Sequence, residues 1–156
     1  MCRFVAYRGE KPLLLHRLLH EPTYSLIQQS RSARFGLRSV NGDGFGIAWY
    51  DQSIENSPGI FKSTQPAWND NNLHHLAHKI KSNCFMGHVR DSTVGDVNLA
   101  NCHPFYDGNF SFVHNGTIHG FESLKRKFVD ELDDECLQKI RGQTDSEYLF
   151  FLRSEE

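Results

Sequence analysis

No long run of basic residues, no CxxC pair and no apolar stretch able to span a bilayer occurs in these 156 residues. With a formal net charge of −2, the first absence leaves nothing to attract nucleic acid or an anionic membrane. The second removes the commonest zinc and redox-disulfide signatures, and the four cysteines at 2, 84, 102 and 136 form no disulfide-dense pattern. The N-terminal residues Met1 to Arg8 contain no signal-peptide core, and Leu13 to Leu19 is too short and too interrupted to cross a membrane. Repeats, low-complexity tracts and internal linkers are also missing. These absences favour one soluble domain over residues 1–156 in a reducing, cytoplasmic setting.

A hydrophobic fraction of 38%, with 12 Phe, 5 Tyr and 2 Trp, is enough for a real core. Residues 2–7 alternate and predict a short strand. Pro12 to His20 predicts a helix opened by proline, and Ser25 to Ala33 a second short helix. Gly44 to Tyr50 is aromatic and β-branched between glycine turns, and predicts a strand. Ile60 to Ser63 would be its hairpin partner across an Asn56-Ser57-Pro58-Gly59 turn. Apolar residues at 73, 76, 77 and 80 predict a helix over 70–81. Cys84 to Val89 and Phe110 to His114 are strand candidates. Phe121 to Leu132 and Asp145 to Leu152 predict helices. The order suggests an α+β domain with helices packed on antiparallel sheet.

Five places carry residues that a plain core does not need. Cys2 follows the initiator methionine directly. Removing Met1 would leave a thiol of reference pKa about 8.5 beside an α-amine of about 7.7–8.0, a nucleophile and a base in one residue. Alone, Cys2 reads first as a small, often buried hydrophobe. Asn41-Gly42-Asp43-Gly44-Phe45-Gly46 lacks the last glycine of a dinucleotide fingerprint and precedes a strand, so it is either a turn or a site-shaping loop. Arg90, ending the strand Gly87-His88-Val89, offers a planar fork to a carboxylate or a salt bridge to Asp91. Asn115-Gly116, following His114, is a turn signal and also a pair of oxyanion-hole donors. Thr144 and Glu147 match a capping box, with the charge of Asp145 at that helix start.

Taken in order, Cys2, Asn41-Gly42-Asp43-Gly44, His88-Val89-Arg90, Asn101-Cys102-His103-Pro104, His114-Asn115-Gly116 and Thr144-Asp145-Ser146-Glu147 resemble the class II glutamine amidotransferases. That family belongs to the N-terminal-nucleophile hydrolases. The resemblance implies a four-layer αββα sandwich, two antiparallel sheets between helices. It implies Cys2 as nucleophile with its freed amine as base, and Asn115 with the Gly116 N–H as oxyanion hole. Arg90 would hold the substrate α-carboxylate and Asp145 the α-ammonium, with Thr93 and His114 also at the substrate. Asn41, Asp43, Gly44, His88 and His103 would shape the site. Neither cofactor nor metal is implied, and the partner is a small molecule, glutamine or a γ-glutamyl compound.

The Asp91-Ser92-Thr93 segment departs from the Trp-Ala-Thr of sugar-phosphate-aminating members. It is closer to small stand-alone members that act on glutamine or γ-glutamyl compounds, and Tyr24 to Ser30 points the same way. The family's glutaminase domain usually runs well past residue 156, so the resemblance implies a domain C-terminally incomplete in this chain, with a homo-oligomer or partner protein completing it. A metal-binding module built from Cys84, His88, Cys102, His103 and His114 is the competing reading, though the spacing matches no standard zinc pattern. An inactive relative that only binds a partner is another.

Overall fold

The computed structural model describes residues 2–32, 40–92 and 95–154. Six strands and six helices follow one another as β1 (Arg3–Leu14), α1 (His16–Leu19), α2 (Leu26–Arg31), β2 (Phe45–Asp51), β3 (Glu55–Ser63), α3 (Asn71–Ala77), β4 (Lys81–Val89), β5 (Phe105–Asp107), β6 (Phe110–Phe112), α4 (Phe121–Glu131), α5 (Asp134–Lys139) and α6 (Asp145–Ser154). The first sheet has the order β1-β4-β2-β3, antiparallel throughout, and β5 pairs antiparallel with β6 in a second.

Strand alternation explains the layers. Side chains on successive strand residues point to opposite faces. Val5, Tyr7, Phe45, Ile47, Trp49, Phe85 and Val89 pack with Leu15, Leu19, Leu26, Leu73 and Ala77 of the α1–α3 layer. The intervening Gly46, Tyr50, Met86 and His88 face the other way. There Tyr50 Oη lies 2.8 Å from Ser111 Oγ, and the His88 and His103 rings stand 4.2 Å apart. Behind the second sheet, Phe105 packs with Phe121, Leu132, Cys136, Tyr148, Phe150 and Phe151 of α4–α6. The order is therefore helices, sheet, sheet, helices, the α+β sandwich expected from the sequence. Among the described residues no helix is long and apolar enough to cross a membrane.

Four local expectations need correction. The predicted helix over Pro12 to His20 yields to strand, because Leu13 and Leu14 pair with Ser82 and Lys81 after an irregularity between Arg8 and Leu13. Proline is tolerated there because β1 is an edge strand and lacks one neighbour. Only His16–Leu19 is helical. The β2–β3 turn lies earlier than expected: Ser53 N–H donates to Asp51 Oδ1 at 3.0 Å, and Pro58 sits within β3, the opposite edge. The helix over 70–81 stops at Ala77, and β6 stops at Phe112, leaving His114 in the following loop. Strand β5 and helix α5 had no expectation; α5 is capped by Asp133, whose Oδ1 accepts from Cys136 N–H at 2.6 Å.

Two glycines allow the sheets to meet. Gly44 has φ +109°, a conformation side chains rarely adopt, and a Cβ there would also press on Cys102 Sγ at 2.6 Å. A Cβ on Gly46 would collide with the His103 carbonyl oxygen. Gly44→Ala should lower stability by about 1–3 kcal/mol through strain and crowding. Urea unfolding checks this, and an unchanged midpoint would contradict the packing described.

Candidate active site

Three strand ends set the first wall of the site. Arg3 pairs with Val89, and Val89 pairs with Phe45, so Cys2, Arg90 and Gly44 each stand one residue beyond the same rung. The backbone continues the ladder past the sheet: Arg90 N–H donates to Gly44 O at 2.8 Å and Asp43 N–H to Arg90 O at 3.2 Å. Cys2 Sγ accepts from Asp91 N–H at 3.3 Å and lies 3.5 Å from the Asp91 carbonyl oxygen. Alternation puts Cys2 on the face shared with exposed Phe4, the side of the second sheet rather than of α1–α3.

Arg90 is 3% exposed, which is unusual for a guanidinium. Its Nη1 donates to Asp96 O at 3.1 Å and its Nη2 to Gly95 O at 3.3 Å. Ser92 pins the same loop from both ends, its N–H donating to Asp43 Oδ2 at 2.7 Å and its hydroxyl to Gly95 O at 2.8 Å. Asn101, also buried, donates through Nδ2 to Asp96 O at 2.9 Å and accepts from Gln143 N–H at 2.8 Å. It thereby ties the Arg90 loop to the approach of α6.

The second wall is the loop after β6 held against the start of α6. Asp145 is buried, accepting from Ile118 N–H at 2.6 Å and from Ser146 Oγ at 3.1 Å. Ser146 Oγ also lies 2.9 Å from His114 Nδ1. The His114 ring underlies Gly116, where a Cβ would sit 2.6 Å from Nε2. Only half of the expected capping box forms. Thr144 Oγ1 accepts from Glu147 N–H at 3.3 Å, but the Glu147 carboxylate turns to Arg141 and Gly142 N–H, at 2.9 and 2.7 Å. Burial pushes Glu147 up, against the pull of those two N–H groups.

Burial also sets the protonation of the interior. It is the first cause of raising the Cys2 thiol, opposed by charges that include Arg90, and of raising Cys102. It pushes His88 down to about 3 and His103 well below the ordinary range, so both rings are uncharged near neutrality. They fill the space between the sheets. The five-ligand metal reading fails on geometry: Cys84 and His88 lie four residues apart on β4, roughly 13 Å along a strand, too far to share one ion.

The structure brings Cys2, Asp43, Gly44 and Arg90 together at the strand ends and places His88 and His103 behind them. Asn41 is fully buried, its N–H donating to Ser30 O at 2.8 Å. Asp145 and His114 meet through Ser146, with Asn115 and Gly116 on the exposed loop they support. Thr93 lies outside the described residues, as does Ala33 of the predicted second helix. Sequence reasoning missed Ser92, Asn101 and Ser146 as posts of the site and Asp91 N–H as a partner of the sulfur. The available signal was a polar side chain inside each motif segment with no apolar reason to be buried.

The chain matches the family profile described as "Glutamine amidotransferases class-II" over residues 16–152. It is 45% identical to the "Probable glutamine amidotransferase DUG3" of Saccharomyces cerevisiae over 158 aligned residues, covering 97% of this chain and 44% of that protein. It is 32% identical to the "Gamma-glutamyl-hercynylcysteine sulfoxide hydrolase" of Mycobacterium tuberculosis, covering 76% of this chain and 50% of that one. A solved glutamine aminotransferase class-II domain protein from Silicibacter pomeroyi superposes with a TM-score of 0.68 at 30% identity, covering all of this chain and 55% of its own. The chain thus spans about half the length of the relatives it matches. It belongs to the class II glutamine amidotransferases.

In protein that retains Met1, alkylation of Cys2 by iodoacetamide should show a midpoint above the ordinary thiol value of about 8.5. Arg90→Gln should move it higher still, since the lost cation favours the thiolate. Peptide mapping across a pH series measures both, and a midpoint at or below the ordinary value would contradict the burial of the sulfur.

Proposed function

We propose that this chain carries the glutaminase site of an amidotransferase or amidohydrolase, with Cys2 as nucleophile after removal of Met1. The supporting observation is the placement of Cys2 Sγ against Asp91 N–H, one rung from buried Arg90. Residues 1–156 are assigned to the glutaminase domain, and the activity is proposed for the protein in its natural length.

In this reading Arg90 receives the substrate α-carboxylate, with its guanidinium plane set by the carbonyls of Gly95 and Asp96. Asp145 receives the α-ammonium, and Thr93 and His114 are proposed as further substrate-binding residues. The α-amine of Cys2 takes the thiol proton, and Sγ attacks the side-chain amide carbon of glutamine. The new oxyanion is held by the Asn115 side-chain amide and Gly116 N–H. The C–N bond then breaks as the α-ammonium returns the proton to nitrogen, releasing ammonia. The γ-glutamyl thioester is hydrolysed by water, giving glutamate and the free thiol. With a γ-glutamyl amide in place of glutamine, the same steps release an amine. The hydrolase relative whose name specifies a γ-glutamyl compound favours keeping that substrate class beside free glutamine.

Intact-mass analysis before and after a glutamine-analogue electrophile tests the reading. Expected are loss of Met1 and one adduct, mapped to Cys2 and absent in Cys2→Ser. A retained methionine, or an adduct elsewhere, would sink it. Asn115→Ala should lower kcat by about 10²–10³ while the adduct site stays the same; an unchanged kcat would remove Asn115 from the oxyanion hole.

A further inference from the structure

On the outer helical layer, away from the cleft, four imidazoles meet where α1 faces α3. His16 opens α1 and His20 caps its end, while His74 lies within α3 and His78 caps that helix. Each pair is four residues apart, about one helical turn, so the two rings of a pair rise from one face. That spacing lets two helical histidines grip a single transition-metal ion. Here two such pairs oppose each other. Within the pairs the ring centroids are 5.2 and 4.5 Å apart. Across the helices His16–His78, His20–His74 and His20–His78 are separated by 3.7, 5.4 and 6.2 Å.

Two polar atoms of this cluster also lack hydrogen-bond partners. Nδ1 of His16 and of His20 are buried without a hydrogen bond, although buried polar atoms are nearly always paired. His78 Nδ1 lies 2.8 Å from the His74 carbonyl oxygen and donates to it, which leaves Nε2 as the ring nitrogen that can face a ligand. Glu21 lies 3.6 Å from His16 Nε2 and is ion-paired with Arg17 at 2.7 Å, placing an oxygen at the rim.

We propose that the His16–His20 and His74–His78 pairs form a binding site for a borderline divalent transition metal of the Zn²⁺ class, clamping α1 to α3. All-imidazole ligation suits Zn²⁺, Co²⁺ and Ni²⁺ rather than the hard ions Ca²⁺ and Mg²⁺. Among the described residues no three such side chains already stand at metal-binding spacing. The closely packed, tilted His16–His78 pair must open for ligation. His74 and His78 are exposed and can turn about their side-chain torsions without moving either helix. The helices to be clamped carry Leu19, Leu73 and Ala77 of the first core, so metal binding would stabilise the layer beneath β1 and β4.

The test uses the full-length protein, stripped with chelator and titrated with Zn²⁺ by calorimetry and with Co²⁺ by visible absorption. Expected are one equivalent of Zn²⁺ with a rise in Tm, and Co²⁺ bands without sulfur charge transfer. His20→Gln with His78→Gln should weaken Zn²⁺ by at least about tenfold, whereas His75→Gln should bind as the unmutated chain does. If the double variant loses its circular dichroism, His78→Gln alone carries the comparison, because that exposed ring has no core contact to lose. Absent saturable binding, unchanged affinity in the variants, or a thiolate band from Co²⁺ would each overturn the proposal. None of these readouts depends on Cys2 chemistry.

Discussion

The register of β4 between its two neighbours is the constraint from which the site follows. One strand faces β1 on one side and β2 on the other, and Arg3, Val89 and Phe45 share a rung. A slip of a single residue would exchange the faces of a whole strand. It would send Val5 and Tyr7 out of the first core and turn Cys2 away from the second sheet. The apolar packing of the helical layer and the position of the thiol are thus two consequences of one pairing. Gly46 belongs to the same constraint, since the His103 carbonyl approaches it where any side chain would collide.

Beyond the strand ends, directional bonds replace apolar area. Arg90, Asn101, Asp145 and Glu147 are all buried, and each meets backbone groups of a neighbouring loop. Leaving one such group unsatisfied costs about 1–3 kcal/mol, and more where it is charged. The loops that bear the motif residues therefore cannot drift independently. Asn101 joins the Arg90 loop to residue 143, and Asp145 joins α6 to Ile118. Ser92 and Ser146 serve the same purpose at shorter reach. A cleft held this way keeps its polar groups pointing inward in the absence of ligand, the condition under which binding spends least on ordering.

Much of this was legible in the sequence, for identifiable reasons. Gly44–Tyr50 by its aromatic and β-branched content, Cys84–Val89 as a strand candidate, Phe121–Leu132 by its helical spacing and Asp145–Leu152 as an apolar helix were each legible in type and approximate place. The Cys2, Arg90 and Asp43-Gly44 segments meet at the strand ends, a proximity that only the family resemblance had implied. The helix expected from Pro12 was misread because a proline at an edge-strand irregularity looks the same as one at a helix start. Pro58 misled in the same way, marking a strand interior on the opposite edge. Strand β5 is three residues long and α5 six, too short for either period to register. The polar side chains of the posts stand within the motif segments, but the partner of Asn101 could not be read because it lies on a distant loop. Asn101 and Gln143 are 42 residues apart.

The titratable groups around the sulfur bear on the proposed chemistry more than its nearest neighbours do. A thiol held up by burial needs a base matched to it, and an imidazole is the usual supplier. His88 and His103 sit in the right layer, but desolvation lowers both so far that each is a weak base, and their rings lie against each other. His114 is engaged with Ser146. Asp43 spends an oxygen on Ser92 N–H, and Arg90 offers charge but no lone pair. What these surroundings supply is help for the thiolate once formed, through Asp91 N–H and the Arg90 cation. The proton acceptor in the proposal must then come from Cys2 itself, whose α-amine titrates close to a thiol and needs no second residue to place it. That is why the reading rests on the chain beginning, after processing, at the nucleophile.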